Sequence, residues 1–459
     1  MTAEVAILNK KAVAIAADSA ITIQGESGPK IFTSANKIFQ LSKYHPVGIM
    51  VYQNSQFMGI PWETIIKIYR NQINKKSFKN LYNYADDFLN FLRNNEFLFK
   101  ENQKIDYLKQ TIYQSYNKIL SDISDDLDEM IKSRREKDFE ITKENFNSIL
   151  NKILDEVIDT HYKLWKEATE IEQIKQNPDI LDQIKNNYKE IIVELKNETF
   201  SSFKLTNVQS RKLTDIAFST LTKFPERTVE YDFGFNYSGL VFVGYGEQEI
   251  FPAIKTYRVE GIILNMLKCR EESKHKISFE SSAAIFPFAQ HEMVYSFMEG
   301  IDPAYQSWII NNFLGFIIEY PKIILNVIDE LNSSQKQKYL KKIQRVASEE
   351  ARDRISKITD YSTEHFVQPI IDTVETLPKP ELASMAESLV NLTNLRRKIS
   401  LKAETVGGPI DVAVISKGDG FIWIKRKHYF KSELNHHFFD TYYKEGAQDE
   451  TKESNERNI

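Results

Sequence analysis

The sequence predicts an α+β protein, and three observations carry that expectation. Short β-type runs cluster in three separated parts of the chain, long stretches between them have helical periodicity, and the apolar (42%) and charged (27%) fractions are those of a globular chain. A length of 459 residues is about three times the usual domain, which leaves one elaborated domain or two to three ordinary ones open.

In chain order, the β-type runs are residues 5–8, 12–15, 47–51, 239–243 and 411–415, each short and bounded by polar or glycine-containing turns, as in strands buried in a packed sheet. Residues 417–420, Lys-Gly-Asp-Gly, read as a hairpin turn joining 411–415 to the apolar run 421–424. The helical sequence lies between. Leu108, Ile112, Tyr116, Ile119, Ile123, Leu127 and Ile131 recur at steps of three or four and form one stripe. Ile149, Ile153, Leu154, Val157 and Ile158 repeat the pattern, as do Leu181, Ile184, Tyr188, Ile191 and Leu195. Residues 61–230 therefore read as an inserted helical subdomain and 301–379 as a second helical region. Pro378 and Pro380 stop that region, and Leu382, Met385, Ala386, Leu389 and Leu392 open a further amphipathic helix. Residues 445–459 hold five acidic and two basic side chains with almost nothing to bury, the composition of a disordered acidic tail.

Composition excludes several classes. Sixty Lys plus Arg against 64 Asp plus Glu leaves a net charge of −4, with no global electrostatic footprint for nucleic acid or an anionic membrane. One cysteine, Cys269, rules out an intramolecular disulfide framework and a thiolate-rich metal site, and suits a reducing compartment. The opening Met1-Thr2-Ala3-Glu4 has no basic n-region, so no signal peptide and a cytoplasmic location are expected. The most apolar stretch, 308–318, contains two asparagines and falls short of the roughly 20 residues that span a bilayer, so a buried helix and no membrane partner are expected.

The chemistry concentrates at the start of the chain. Thr2 follows the initiator methionine and is small enough for Met1 to be removed by an aminopeptidase, which leaves threonine as the amino terminus. That residue then joins a hydroxyl nucleophile to an α-amine whose ordinary pKa, about 7.7–8.0, lets it act as its own general base. Downstream, residues 3–8 and 12–17 form a hairpin pattern that ends on Asp18, and Asn36-Lys37-Ile38-Phe39-Gln40-Leu41 places a lysine at the start of another strand.

With Thr2, Asp18 and Lys37 in that order, the sequence resembles the catalytic β subunits of proteasomes and their bacterial ring-protease relatives, members of the N-terminal nucleophile (Ntn) hydrolases. A second stretch carries the same resemblance: Gly407-Gly408-Pro409-Ile410-Asp411-Val412-Ala413-Val414-Ile415 is similar to the closing strands of those subunits. The resemblance implies a four-layer α-β-β-α sandwich with inserted helical subdomains. Its core would run over 1–60, 231–300 and 380–444, interrupted by 61–230 and 301–379. It implies a threonine-type endopeptidase in which Thr2 attacks the scissile carbonyl, with Lys37, held cationic by Asp18, lowering the pKa of the Thr2 hydroxyl and amine.

The resemblance further implies that Thr22 pairs with substrate backbone, that an edge near Met50 and Val51 joins it in binding an extended peptide, and that the backbone N–H of Val51 or Met50 serves as oxyanion donor. Ile49 becomes a wall of the primary specificity pocket, favouring apolar or small side chains. Where the family carries an aspartate and a serine before the paired glycines, and a serine before a Pro-Phe segment, this chain offers Glu404, Thr405, Ser281 and Ser282 as a possible supporting shell around Gly407 and Gly408. No cofactor and no metal are expected. The implied partners are a peptide or unfolded-protein substrate, further copies of the chain in a homo-oligomer, and a separate ATPase or regulatory protein. Two other readings stay open: a non-catalytic proteasome-like scaffold that binds a partner, and an Ntn amidase acting on a small amide. His291-Glu292, the His436-His437 pair and the 244–246 Gly-Tyr-Gly turn lack the companions that a zinc or phosphate site requires.

Overall fold

The computed structural model describes residues 3–25, 28–135, 143–225, 237–399 and 407–437. Thr2, Glu404, Thr405 and the acidic tail lie outside the described residues. The chain opens with β1 (Ala3–Asn9) and β2 (Val13–Ala17), followed by a separate two-stranded ribbon, β3 (Ile21–Gly25) and β4 (Gly28–Phe32), and by β5 (Ile38–Gln40) and β6 (Val47–Gln53). Helices α1 (Trp62–Ile73), α2 (Leu81–Asn94), α3 (Glu101–Arg135), α4 (Lys143–Glu167), α5 (Asp179–Thr199) and α6 (Asn207–Thr222) come next. Four strands follow: β7 (Ser238–Gly244), β8 (Ala253–Ile263), β9 (Met266–Lys276) and β10 (Ala283–Ala289). The last part holds α7 (Glu292–Glu299), α8 (Pro303–Val327), α9 (Ser333–Ser362), α10 (Gln368–Thr376), α11 (Lys379–Lys398), β11 (Asp411–Ser416) and β12 (Gly420–Lys425).

Two five-stranded antiparallel sheets result, in the orders β10-β1-β2-β11-β12 and β9-β8-β7-β6-β5. The strands β1, β2, β6, β7 and β11 are mostly apolar on both faces because both faces are covered, whereas the edge strands β9 and β12 are largely exposed. Ala6, Leu8, Val13, Ile15 and Ala413 of the first sheet meet Met50, Val241, Val243 and Ile254 of the second in one buried cluster, so the sheets lie face to face. On the far side of the first sheet, Val5, Ile7, Ala12, Ala14 and Ala16 pack with Val294 of α7, Val374 of α10 and Leu382, Ala386 and Val390 of α11. The alanines at every second position of that face leave room for α11 to lie close. On the far side of the second sheet, Ile49, Leu240, Phe242 and Tyr257 pack with Ile65 and Tyr69 of α1 and with Tyr84 and Phe88 of α2.

Helices α3 to α6 build a core of their own. The stripe Leu108, Ile112, Tyr116, Ile119 and Ile123 is buried against Ile153, Leu154, Val157, Ile184, Ile192, Leu213 and Ile216, and it joins the second sheet at Ile263 and Met266. Helices α8 and α9 differ. Most of their surface is solvent-exposed, including Trp308, Phe316, Ile323 and Val327, so the burial expected for 308–318 is not realised. The helix around that stretch is 25 residues long and, by length and composition alone, apolar enough to cross a membrane.

Candidate active site

Asp18 leaves the end of β2 and gathers donors from three directions. Its Oδ1 accepts the Ala3 backbone N–H (3.0 Å) and the Lys37 ammonium (2.6 Å); its Oδ2 accepts the N–H groups of Gly407 (2.9 Å) and Ala20 (3.3 Å). The Asp18 N–H in turn donates to the Ala3 carbonyl (3.1 Å). Ala3, the residue adjoining Thr2, is thereby held to Asp18 twice, by its N–H to the carboxylate and by its carbonyl to the backbone N–H. Lys37 immediately precedes β5, and the Lys37–Asp18 pair is 5% and 0% exposed at its side chains. Burial lowers the Lys37 pKa, while Asp18 and Glu4 oppose that shift by favouring the cation.

The closing strand reaches the site through its glycines. Ser19 donates its N–H to the Gly407 carbonyl (3.2 Å) and its hydroxyl to the Pro409 carbonyl, which fixes β11 beside the end of β2. Gly408 has φ +81, and a Cβ there would lie 2.7 Å from Thr33 Cβ, so this turn needs a glycine. A cavity of about 230 Å³ opens beside the ion pair, lined by Lys37, Ile21, Ala35, Val51, Gln53, Trp62 and Glu63 among others.

The structure thus brings Asp18, Lys37, Gly407 and the start of β1 together. Thr22 belongs to β3, where it pairs with Ile31, and its side chain lies outside the description. Three other expectations are corrected. Ile49 shares a face of β6 with Val51, in the core under α1 and α2, but lies two residues further along the strand, and Val51 rather than Ile49 lines the cavity. Met50 and Val51 offer no free strand edge: β6 lies between β5 and β7, Met50 pairs with both Ile38 and Val241, and the Val51 N–H is spent on the Lys37 carbonyl (2.9 Å). Neither is an oxyanion donor in this arrangement. The next amide on that side of the strand belongs to Gln53, which lines the cavity and has φ +70.

Ser281 and Ser282 lie at the wrong end of β10. That strand runs antiparallel to β1 with Ala289 opposite Ala3 and Ala283 opposite Asn9, so the serines sit roughly 20 Å along the strand from the start of β1. There Ser281 contacts His275 (3.0 Å) and Ser282 hydrogen-bonds Glu375. The residues at the near end are Ala289 and buried Gln290, whose Oε1 accepts from Arg397 (2.5 Å).

Sequence reasoning missed Glu4. Its side chain is 1% exposed, and neither carboxyl oxygen has a hydrogen-bond partner among the described residues. Burial raises its pKa well above the ordinary carboxyl value; Lys37 opposes this and Asp18 adds to it. The signal was available in the alternation of β1, where residue 4 shares a face with Ala6 and Leu8, both buried between the sheets. Cys269 is no rival nucleophile, since burial pushes its thiol up to about 11.

No protein-family model matches the chain, and no curated protein matches it. Among solved structures, the chain is similar to the Anbu (Gly-1) mutant from Hyphomicrobium sp. strain MC1, at 9% identity over 97% of each chain and a TM-score of 0.22. A superposition that loose bears on neither fold nor chemistry.

Proposed function

We propose that the chain is an amide hydrolase of the Ntn type, acting as a threonine peptidase through Thr2 once Met1 is removed. The observation that carries this reading is the buried Asp18–Lys37 pair, tied to Ala3, the residue that follows Thr2, and set beside a cavity that Lys37 lines. Two face-to-face sheets with helices on both outer faces support the same assignment, being the layer order of that hydrolase class.

In this mechanism the Thr2 hydroxyl oxygen bonds to the scissile carbonyl carbon as its proton passes to the free α-amine. The C–N bond breaks, and the proton goes to the departing amine. Water then cleaves the Thr2 ester, with the α-amine again taking and returning the proton. Lys37 makes the approach of negative charge to the hydroxyl oxygen favourable, and Asp18 keeps Lys37 charged and fixed. Peptide or unfolded protein is the proposed substrate, and a homo-oligomer served by a separate ATPase or regulator is the proposed working form.

Intact mass tests the first requirement. Protein made in a cell with active methionine aminopeptidase should lack Met1; retained Met1 would leave a scaffold rather than a threonine hydrolase. A threonine-directed β-lactone should then label the protein at Thr2. Labelling should vanish in Thr2→Ala and slow on the order of 10²-fold or more in Lys37→Ala. Labelling that survives Thr2→Ala assigns the nucleophile elsewhere.

A further inference from the structure

Glu4 takes no step in that reaction, yet it is buried near enough to Lys37 and Asp18 for both charges to act on its carboxyl. Its neighbours define its state. Asp18 comes from the end of β2 and Lys37 from the start of β5, and both act on the Glu4 carboxyl. From the opposite sheet, Tyr52 stacks at 5.7 Å on Phe288, the cross-strand partner of Glu4. Behind Lys37, Lys427 is paired with Asp411 and adds a repulsive charge to Lys37.

The Asp18 carboxylate and the Lys37 ammonium already cancel. An ionised Glu4 would leave the interior with one excess negative charge on a group that has no donor among the described residues. A buried carboxylate without a donor is far costlier than a buried neutral acid, so Glu4 keeps its proton.

We propose that Glu4 is a positioning residue: a neutral carboxylic acid behind the Asp18–Lys37 pair that leaves Lys37 with a single counter-ion and its positive field directed at the cleft. When Glu4 gives its proton to solvent base, a second carboxylate faces Lys37. That carboxylate strengthens the hold of Lys37 on its own proton and cancels its field towards the cavity. The proposal rests on the hydrolase reading for what the Lys37 charge accomplishes, but the protonation of Glu4 is independent of it.

The test is a pair of titrations on the full-length protein, neither of which uses activity. Infrared spectra of wild-type protein, with and without ¹³C-glutamate labelling, should show at neutral pH a protonated carboxyl stretch that shifts with the isotope and is lost in Glu4→Gln. NMR of ¹³C-lysine protein, with Lys37 assigned through Lys37→Arg, should show Lys37 losing its proton at lower pH in Glu4→Gln than in wild type, because the second carboxylate never forms. A wild-type spectrum without a protonated glutamate stretch overturns the proposal, even where Glu4→Gln does not fold. An unchanged Lys37 titration in folded Glu4→Gln also overturns it. Failure of β-lactone labelling with both titrations as expected would remove the hydrolase reading and leave the assignment of Glu4 standing.

Discussion

The two sheets each bury a cluster of charge, and the clusters are built in opposite ways. On the second sheet, Glu260 of β8 is held by two cations: Arg258 Nη2 lies 2.6 Å from its Oε1 and Lys268 Nζ of β9 lies 2.7 Å from its Oε2. Lys268 also donates to the Thr220 carbonyl of α6 (2.5 Å), so the cluster fastens the β8–β9 hairpin to the helical subdomain. On the first sheet there are two acids to one nearby base, and one of the acids, Glu4, has no donor among the described residues. The paired cluster has each charge committed to holding elements together. The lopsided one holds Asp18 by backbone amides as well as by Lys37, and so leaves a cation at the cavity wall with a buried acid near it. Burial alone does not distinguish a structural charge from a chemical one; the ratio of partners does.

If that contrast is right, removing a cation from the second sheet should cost more stability. Lys268→Ala takes one of two cations from buried Glu260, leaves the Thr220 carbonyl without its lysine donor and empties the buried space of the lysine stem, and together these should destabilise the protein by about 3–5 kcal/mol, measured by denaturant unfolding. Lys37→Met should cost less, about 1–3 kcal/mol, because Asp18 keeps the N–H groups of Ala3, Ala20 and Gly407. It should nevertheless remove most β-lactone labelling, whereas Lys268→Ala protein that remains folded should be labelled at an ordinary rate. Equal destabilisation by the two substitutions would erase the distinction.

The same contrast explains what was legible in the sequence. Asp18 and Lys37 could be found because each closes or opens a local strand pattern, and Gly408 because its turn excludes other side chains. Glu4 is legible only through the alternation that it shares with Ala6 and Leu8, which puts it between the sheets. Ile49 has the same facing as the cavity-lining Val51 but sits two residues along the strand, a distance that alternation alone does not resolve. Ser281 and Ser282 were misplaced because no local signal sets the register of β1 against β10, two strands separated by some 270 residues of chain. The Arg258–Glu260–Lys268 cluster was invisible for the same kind of reason: it forms only when β8 and β9 pair and α6 arrives over them. The exposed flank of α8 has the opposite origin, since hydropathy reports what a helix is made of and not whether a neighbour covers it.

The smallest expected effect separates the clusters by sign. Burial pushes the Glu260 pKa up, but Lys268 and Arg258 overcome it and hold the carboxyl below its ordinary value. Between that folded value and the unfolded one of about 4.5, the unfolded chain binds more protons, so Glu260 contributes stability that is lost as pH falls through its folded value. Glu4 is shifted the other way. Above about 4.5 the folded protein binds the extra proton, so its contribution is lost as pH rises towards the folded value. Each group alone gives a limiting slope of about 1.4 kcal/mol per pH unit within its window. Unfolding free energies from pH 3 to 8 should therefore tilt in opposite senses. Relative to wild type, Glu260→Gln should lose the decline on the acid side, and Glu4→Gln should lose the decline above pH 4.5. A Glu4→Gln curve parallel to wild type throughout would mean that Glu4 is ionised in the folded protein, and that the lopsided cluster is paired by a group beyond Asp18 and Lys37.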